Sequence, residues 1–273
     1  MITSTSNPHI KSLRKLTDSK ERAATNTYLA EGLRVVGQAV DSGAQIQQLL
    51  YCDELLVSDY GRKLLTKLTE DPSVEIIDVS KEVFKSLARK DKPQGIAAVI
   101  SLKWSELSDI HSISTGVWVA LEAVQNPGNL GTVLRTCDAV GAKGLILLDH
   151  STDPYDPAAV KASMGAIFTI PVFKADLVEF GHFLQQNPAL TTIGTSDKSK
   201  QDYFEFDFPD PLLLLMGSER EGLSFSYQQL CQSMISIPME GDCDSLNLSV
   251  ATGVMLYQVY NQHRKKLDHD QLS

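Results

Sequence analysis

A chain of 273 residues has room for one large domain or two of ordinary size, and its 42% hydrophobic content is enough for a core. It has no run of ~18 apolar residues and no apolar stretch near its start, so neither a membrane-spanning helix nor a secretory signal is expected. The net charge of −9 argues against a polyanion binder only until the chain is divided: residues 1–105 hold 15 Lys+Arg against 13 Asp+Glu, and residues 106–273 hold 10 against 21.

The first 22 residues alone carry Lys11, Arg14, Lys15, Lys20 and Arg22 against Asp18 and Glu21. A basic end on an acidic body can still meet a polyanion, although a solvated helix surface has the same composition. Cys52, Cys137, Cys231 and Cys243 are scattered without a C-x-x-C pair, which predicts reduced thiols, a cytoplasmic protein and no structural zinc.

In chain order, Ile10, Leu13 and Leu16 at helical spacing predict a helix over 8–17. A strand over 27–30 and a helix over 31–40 follow, the helix ended by the Asp41-Ser-Gly43 turn. Strands over 46–51, 74–79 and 95–100 alternate with helices over 60–68 and 80–87. This describes a small α/β domain over 1–105. Residues 106–115 read as a linker, with Trp104 beside it packing on one of the domains.

The second half, 116–273, also alternates. Strands are predicted over 117–121, 145–148, 168–172, 191–195, 212–216 and 235–237, and helices over 131–140, 157–164, 175–185 and 226–231. Continuous apolar runs such as 212–216 are expected of parallel strands buried on both faces. Ser-Leu-Asn at 245–247 reads as the start of a long helix, with Ser and Asn oxygens able to cap it. That helix is nearly apolar through Val250, Val254, Met255 and Tyr257, which predicts burial all round.

Three loops follow predicted strands. The first is 122–135, EAVQNPGNLGTVLR, where Asn129 is read as the cap of the helix carrying Arg135. The second is 216–223, MGSEREGL, with Gly217 and Glu219. The third is 238–247, with Met239, Ser245, Leu246 and Asn247. Strand carboxyl ends in an α/β sheet converge on one crevice, so the three can form one site. Taken singly, each can equally be an ordinary turn or cap. No G-x-G-x-x-G follows a strand, and no P-loop, G-x-S-x-G elbow or metal-binding histidine spacing is present.

Together, NPGNLGTVLRTCDAVGA, LLLMGSEREGL and ISIPMEGDCDSLNLSVATG, with KASMGAIFTIPV between them, resemble the motifs of the SpoU-type (TrmH-like) branch of the SPOUT RNA methyltransferases. NPHIKSLRKL and YLAEGLRVV are similar, more weakly, to that family's substrate-binding domain. The resemblance implies an S-adenosyl-L-methionine-dependent enzyme that methylates ribose 2′-hydroxyls of RNA, ribosomal RNA before transfer RNA. It implies a parallel-sheet catalytic domain with a deep trefoil knot, a homodimer, and no metal or membrane partner. Arg135, Glu219, Asn247 and Ser245 match its catalytic positions. Gly217, Ile237, Leu246, Met239 and Asn129 match its cofactor positions. Asn126 stands where an acidic residue is common and Cys137 where Ala is common. The competing readings are a non-catalytic RNA-binding or ribosome-assembly protein on the same fold, and a methyltransferase of proteins or small molecules.

Overall fold

The computed structural model describes residues 1–88, 92–110 and 112–270; His111, one of the six histidines, lies outside them. The elements in order are α1 (Pro8–Lys15), α2 (Ser19–Thr25), β1 (Thr27–Glu31), α3 (Leu33–Asp41), β2 (Ile46–Tyr51), α4 (Asp59–Thr69), β3 (Glu75–Asp78), α5 (Lys81–Leu87) and β4 (Ile96–Ser101). They continue as β5 (Val117–Glu122), α6 (Pro127–Val140), β6 (Gly144–Leu148), α7 (Pro157–Ser163), β7 (Val172–Ala175), α8 (Leu177–Gln186), β8 (Thr191–Thr195), β9 (Leu212–Met216), α9 (Phe225–Gln228), β10 (Ser233–Ile235) and α10 (Leu248–Asp270). Two compact units result: Met1–Lys103 with Asp153–Thr169, and Trp104–Thr152 with Ile170–Ser273.

The first unit is built on a four-stranded mixed sheet in the order β1-β4-β2-β3, with β4 antiparallel to both neighbours. Asn7 starts α1 by accepting from the amides of His9 and Ile10, with Pro8 at the first helical position. Ile10, Leu13 and Leu16 then pack with Val79, Val83 and Phe84. The polar α2, SKERAAT, has no apolar periodicity to predict it, and its Arg22 is 2% exposed. That guanidinium donates to the carbonyls of Leu16 and Thr17 and, at 2.6 and 2.9 Å, to Asp153 Oδ2.

The Arg22–Asp153 pair ties 153–169 to this unit, although the sequence placed that segment inside a continuous second domain. The rings of Tyr28 and Tyr155, 4.8 Å apart, add to the tie. Positive φ at Met164 and Gly165 turns the chain after α7. The next strand therefore begins at Val172, four residues later than expected. Trp104 and the linker pack on the second unit: Ser105 bridges to Phe173, and Lys174 Nζ lies 4.1 Å from the Trp104 ring centre.

The second unit holds six parallel strands in the order β10-β8-β9-β5-β6-β7. Strands β5, β6 and β9 are apolar and buried almost throughout. The chain enters at β5, runs outward through β6 and β7, then returns on the other side of β5. The strand order therefore reverses between β5 and β9, the place where open α/β sheets bind ligands.

Helix α10 corrects an expectation. It begins at Leu248, and only one face is covered: Leu248, Thr252, Met255, Leu256 and Val259 are buried, whereas Val250 and Tyr257 are about half exposed at 51% and 48%. It packs against α6. Among the described residues, no helix is long and apolar enough to cross a membrane.

Arg22→Met should lower unfolding stability by about 3 kcal/mol, because it leaves Asp153 and two buried carbonyls without their donor. Urea denaturation followed by circular dichroism measures this. Adding Asp153→Leu should recover part of the loss.

Candidate active site

The first loop leaves β5 through Glu122 and turns at Ala123, which has φ +50°. Asn126, not Asn129, caps α6: its Oδ1 accepts from the amides of Gly128 at 2.8 Å and Asn129 at 3.2 Å. The helix thus begins four residues before the predicted start. The Asn-Pro pair supplies a cap followed by a proline at the first helical position, an arrangement that outweighs the two glycines read as loop.

This frees the Asn129 side chain. Its Nδ2 donates to Glu219 Oε1 at 3.0 Å, and its Oδ1 accepts from Asn247 Nδ2 at 3.1 Å. The amides of Asn126 and Gln125 each point at a Glu219 oxygen, at 3.3 Å. One carboxylate therefore gathers three N–H groups of the first loop, and Asn129 extends the connection to the third. Burial alone would raise the Glu219 carboxyl. Hydrogen bonds from Asn129, its own amide, Gln125 and Asn126 outweigh that, and the group lies below the ordinary glutamate range. The amino end of α6 also favours a negative charge there.

Glu219 sits in a tight hairpin closed by Ser218 and Gly222, whose amides and carbonyls exchange hydrogen bonds of 3.1 Å. Gly217 has no room for a side chain: a Cβ would lie 2.0 Å from Gly222 C and 2.1 Å from Leu223 N. Asn247 starts α10, its Oδ1 accepting from Ser249 N at 2.9 Å and Ser249 Oγ at 2.7 Å.

The structure therefore joins Asn129, Glu219 and Asn247 and places Gly217 at the base of the same hairpin. The other expected residues stand apart from this chain of bonds. Ile237 is half-buried just after β10, which ends at Ile235, two residues before the predicted end. Met239 and Leu246 are exposed at 38% and 36%, and Ser245 is exposed on the same loop. Arg135 projects from α6 into solvent and has no hydrogen-bond or ion-pair partner among the described residues. Among those residues no backbone N–H from 237 to 247 donates a hydrogen bond. An exposed loop with open backbone donors beside Ile237, Met239 and Leu246 suits a ligand having both a polar edge and an apolar face.

Some supports were not singled out from the sequence. Glu122 is 8% exposed, and its Oε2 accepts from Ser224 N at 2.8 Å, fixing the exit of the hairpin. Its one signal was a carboxylate ending an otherwise apolar strand. Tyr227 donates to Asp149 Oδ2 at 2.9 Å; burial first, and then that carboxylate, raise its hydroxyl pKa. Gln125 braces the first loop by donating to the carbonyls of Ala123 and His150. Among the described residues, no group of His, Cys, Asp and Glu could hold a metal ion.

Residues 116–257, just over half of the chain, match the SpoU rRNA Methylase family. The chain belongs to that family. Residues 7–98 match the MRM3-like substrate binding domain. The chain is similar to the 23S rRNA (uridine(2479)-2'-O)-methyltransferase of Streptomyces viridochromogenes, at 32% identity over 90% of this chain and 87% of the relative. It is also similar to the 23S rRNA (guanosine(2553)-2'-O)-methyltransferase RlmP of Bacillus subtilis, at 28% identity over 94% and 98% of the two chains. Among solved structures, an AdoMet-bound rRNA methyltransferase from Sinorhizobium meliloti superposes with a TM-score of 0.86 at 35% identity, covering 95% of this chain and 97% of that one. As a SpoU methylase, the protein is an S-adenosyl-L-methionine-dependent RNA methyltransferase with a parallel-sheet SPOUT domain.

Glu219→Gln should weaken S-adenosyl-L-methionine binding about tenfold or more, since a hydrogen bond to a charged group is worth ~1.5–3 kcal/mol. The sign of the pH effect follows from the lowered carboxyl. The loops stay tied at and above the ordinary glutamate pKa of ~4.3 and loosen as pH falls through the lower native value. Calorimetric titration against pH should show this acid limb in the wild type and a weaker one in the variant.

Proposed function

We propose that this SpoU methylase transfers the methyl group of S-adenosyl-L-methionine to a ribose 2′-hydroxyl of large-subunit ribosomal RNA. The observation that carries the reading is the linkage of Asn129, Glu219 and Asn247, which holds three strand-end loops together where the sheet reverses order. The full-length similarity to two 23S rRNA 2'-O-methyltransferases favours ribosomal RNA over transfer RNA.

The open backbone of 237–247 and the apolar groups of Ile237, Met239 and Leu246 suit the adenosine part of the cofactor, with Gly217 letting the second loop close up beside it. When bound, the cofactor supplies an electrophilic methyl group on a sulfonium. The protein's task is to hold the ribose oxygen in line with that methyl, and positioning of this kind contributes up to ~7–11 kcal/mol. Asn129, Glu219 and Asn247 fix the loops. Ser245, on the same loop as Asn247, orients the hydroxyl. A guanidinium is a poor base. Arg135 pairs with an RNA phosphate and stabilises the negative charge that develops as the hydroxyl releases its proton to water.

A second copy of the chain covers the open side of α10, where Val250, Tyr257 and Tyr260 are exposed apolar side chains on one face. A trefoil knot agrees with the way 204–208 lies along α10. Gln258 and Gln262 donate to the carbonyls of Phe204 and Phe206, and Gln262 accepts from Phe208 N. Four free cysteines agree with a cytoplasmic protein.

Incubating the protein with methyl-labelled cofactor and RNA from cells lacking it should label 23S rRNA at one ribose. Absence of label from every RNA fraction contradicts the reading. Arg135→Lys should lower turnover about tenfold or more while leaving cofactor affinity unchanged; near-normal turnover removes any specific guanidinium role.

A further inference from the structure

The first unit contains a cavity separate from the catalytic loops. Its volume is about 330 Å³, at the small end of the ~300–1,000 Å³ usual for small-ligand sites. Leu16 of α1, Leu29 of β1, Leu87 of α5 and Val160 of α7 form apolar walls. Thr17 and Ser86 add hydroxyls; the Ser86 hydroxyl donates to Val83 O at 2.7 Å, which leaves its oxygen able to accept. Among the described lining residues, Arg14 and Lys161 contribute cations and Glu31 a carboxylate.

The Arg14 guanidinium donates through Nη2 to the Thr5 carbonyl, while its Nε is enclosed with no hydrogen-bond partner among the described residues. Lys161 is exposed and has no ion pair among them. Helix α1 carries Lys11, Arg14 and Lys15 and no acidic residue, so the surroundings favour an anion.

This combination selects among ligands. A bare anion would leave the leucine and valine walls unused. A purely apolar molecule would leave the charges of Arg14 and Lys161 unused. A nucleobase with its adjoining phosphate meets all three features: apolar faces, a hydrogen-bonding edge and one negative charge. RNA is read largely through unstacked bases in loops and bulges, which a protein takes up between apolar or aromatic side chains.

We propose that this cavity takes one unstacked base of the RNA substrate, with the neighbouring phosphate held by Arg14 and Lys161. The proposal rests on the RNA methyltransferase reading and gives the first unit a specific point of base readout. The cavity volume limits it to a single nucleotide.

The test uses the full chain and the four nucleoside 5′-monophosphates AMP, GMP, CMP and UMP as probes, with binding followed by NMR. Two variants are compared with wild type: Leu29→Trp, which fills the chamber, and Lys161→Glu, a surface charge reversal that leaves the packing alone. At least one monophosphate should bind the wild type, about tenfold more tightly than inorganic phosphate or the free nucleoside. Both variants should lose that binding, and their affinity for 23S rRNA should fall about tenfold. Their cofactor affinity and melting temperature should stay at wild-type values. The proposal is overturned if no monophosphate binds, if inorganic phosphate binds as tightly, or if Lys161→Glu keeps wild-type RNA affinity. Methyl transfer by the wild type, measured in parallel, reads the catalytic assignment separately: RNA label without monophosphate binding removes the cavity proposal and leaves the enzyme reading intact.

Discussion

The active-site architecture depends on how one carboxylate is satisfied. Glu219 stands on a short hairpin after β9 and takes N–H groups from Gln125 and Asn126, on the loop after β5, and from Asn129 in the first turn of α6. A side chain that accepts from two backbone amides and one side-chain amide fixes a distance and a register between two loops. Asn129 then passes the constraint to Asn247, the cap of α10. Three pieces of chain far apart in sequence are thereby set against one another before any ligand arrives, and preorganisation of this kind is what positioning catalysis needs.

The supports beneath are arranged for the same purpose. Glu122, at the carboxyl end of the central strand β5, holds the exit of the hairpin through Ser224, and Asp149, just past β6, holds Tyr227. Gly217 lets the hairpin fold back on its own backbone, which no larger residue could do. Glu219 and Asn247 thus lie at loops or helix starts, while Glu122, which holds the hairpin, lies at the end of a buried strand. The loop carrying Ile237, Met239, Ser245 and Leu246 is exposed along most of its length.

Much of this was legible in the sequence, for physical reasons that differ by element. The strands Val117–Glu122 and Leu212–Met216 announce themselves because a strand buried on both faces must be apolar at every position. The start of α6 was misplaced because NPGNLG has loop composition, whereas the Asn-Pro cap decides where a helix can begin. The role of Asn129 followed that error: read as a cap, it is instead the link between two other loops. The apolar composition of α10 predicts burial all round, but composition alone does not say which face is covered, and Val250 and Tyr257 are exposed. The attachment of 153–169 to the first unit could not be read at all, since it depends on Arg22 and Asp153, which are 131 residues apart. The resemblance named candidate residues; the bonds that join Asn129, Glu219 and Asn247 required coordinates.

Glu219 and Asn247 act as one unit through Asn129. A double-mutant cycle on S-adenosyl-L-methionine affinity, with Glu219→Gln, Asn247→Ala and the pair, measures that most directly. The account predicts non-additivity of about 1 kcal/mol or more, with the double variant little worse than Glu219→Gln alone. Effects that add within about 0.3 kcal/mol would contradict it and reduce the three loops to independent neighbours.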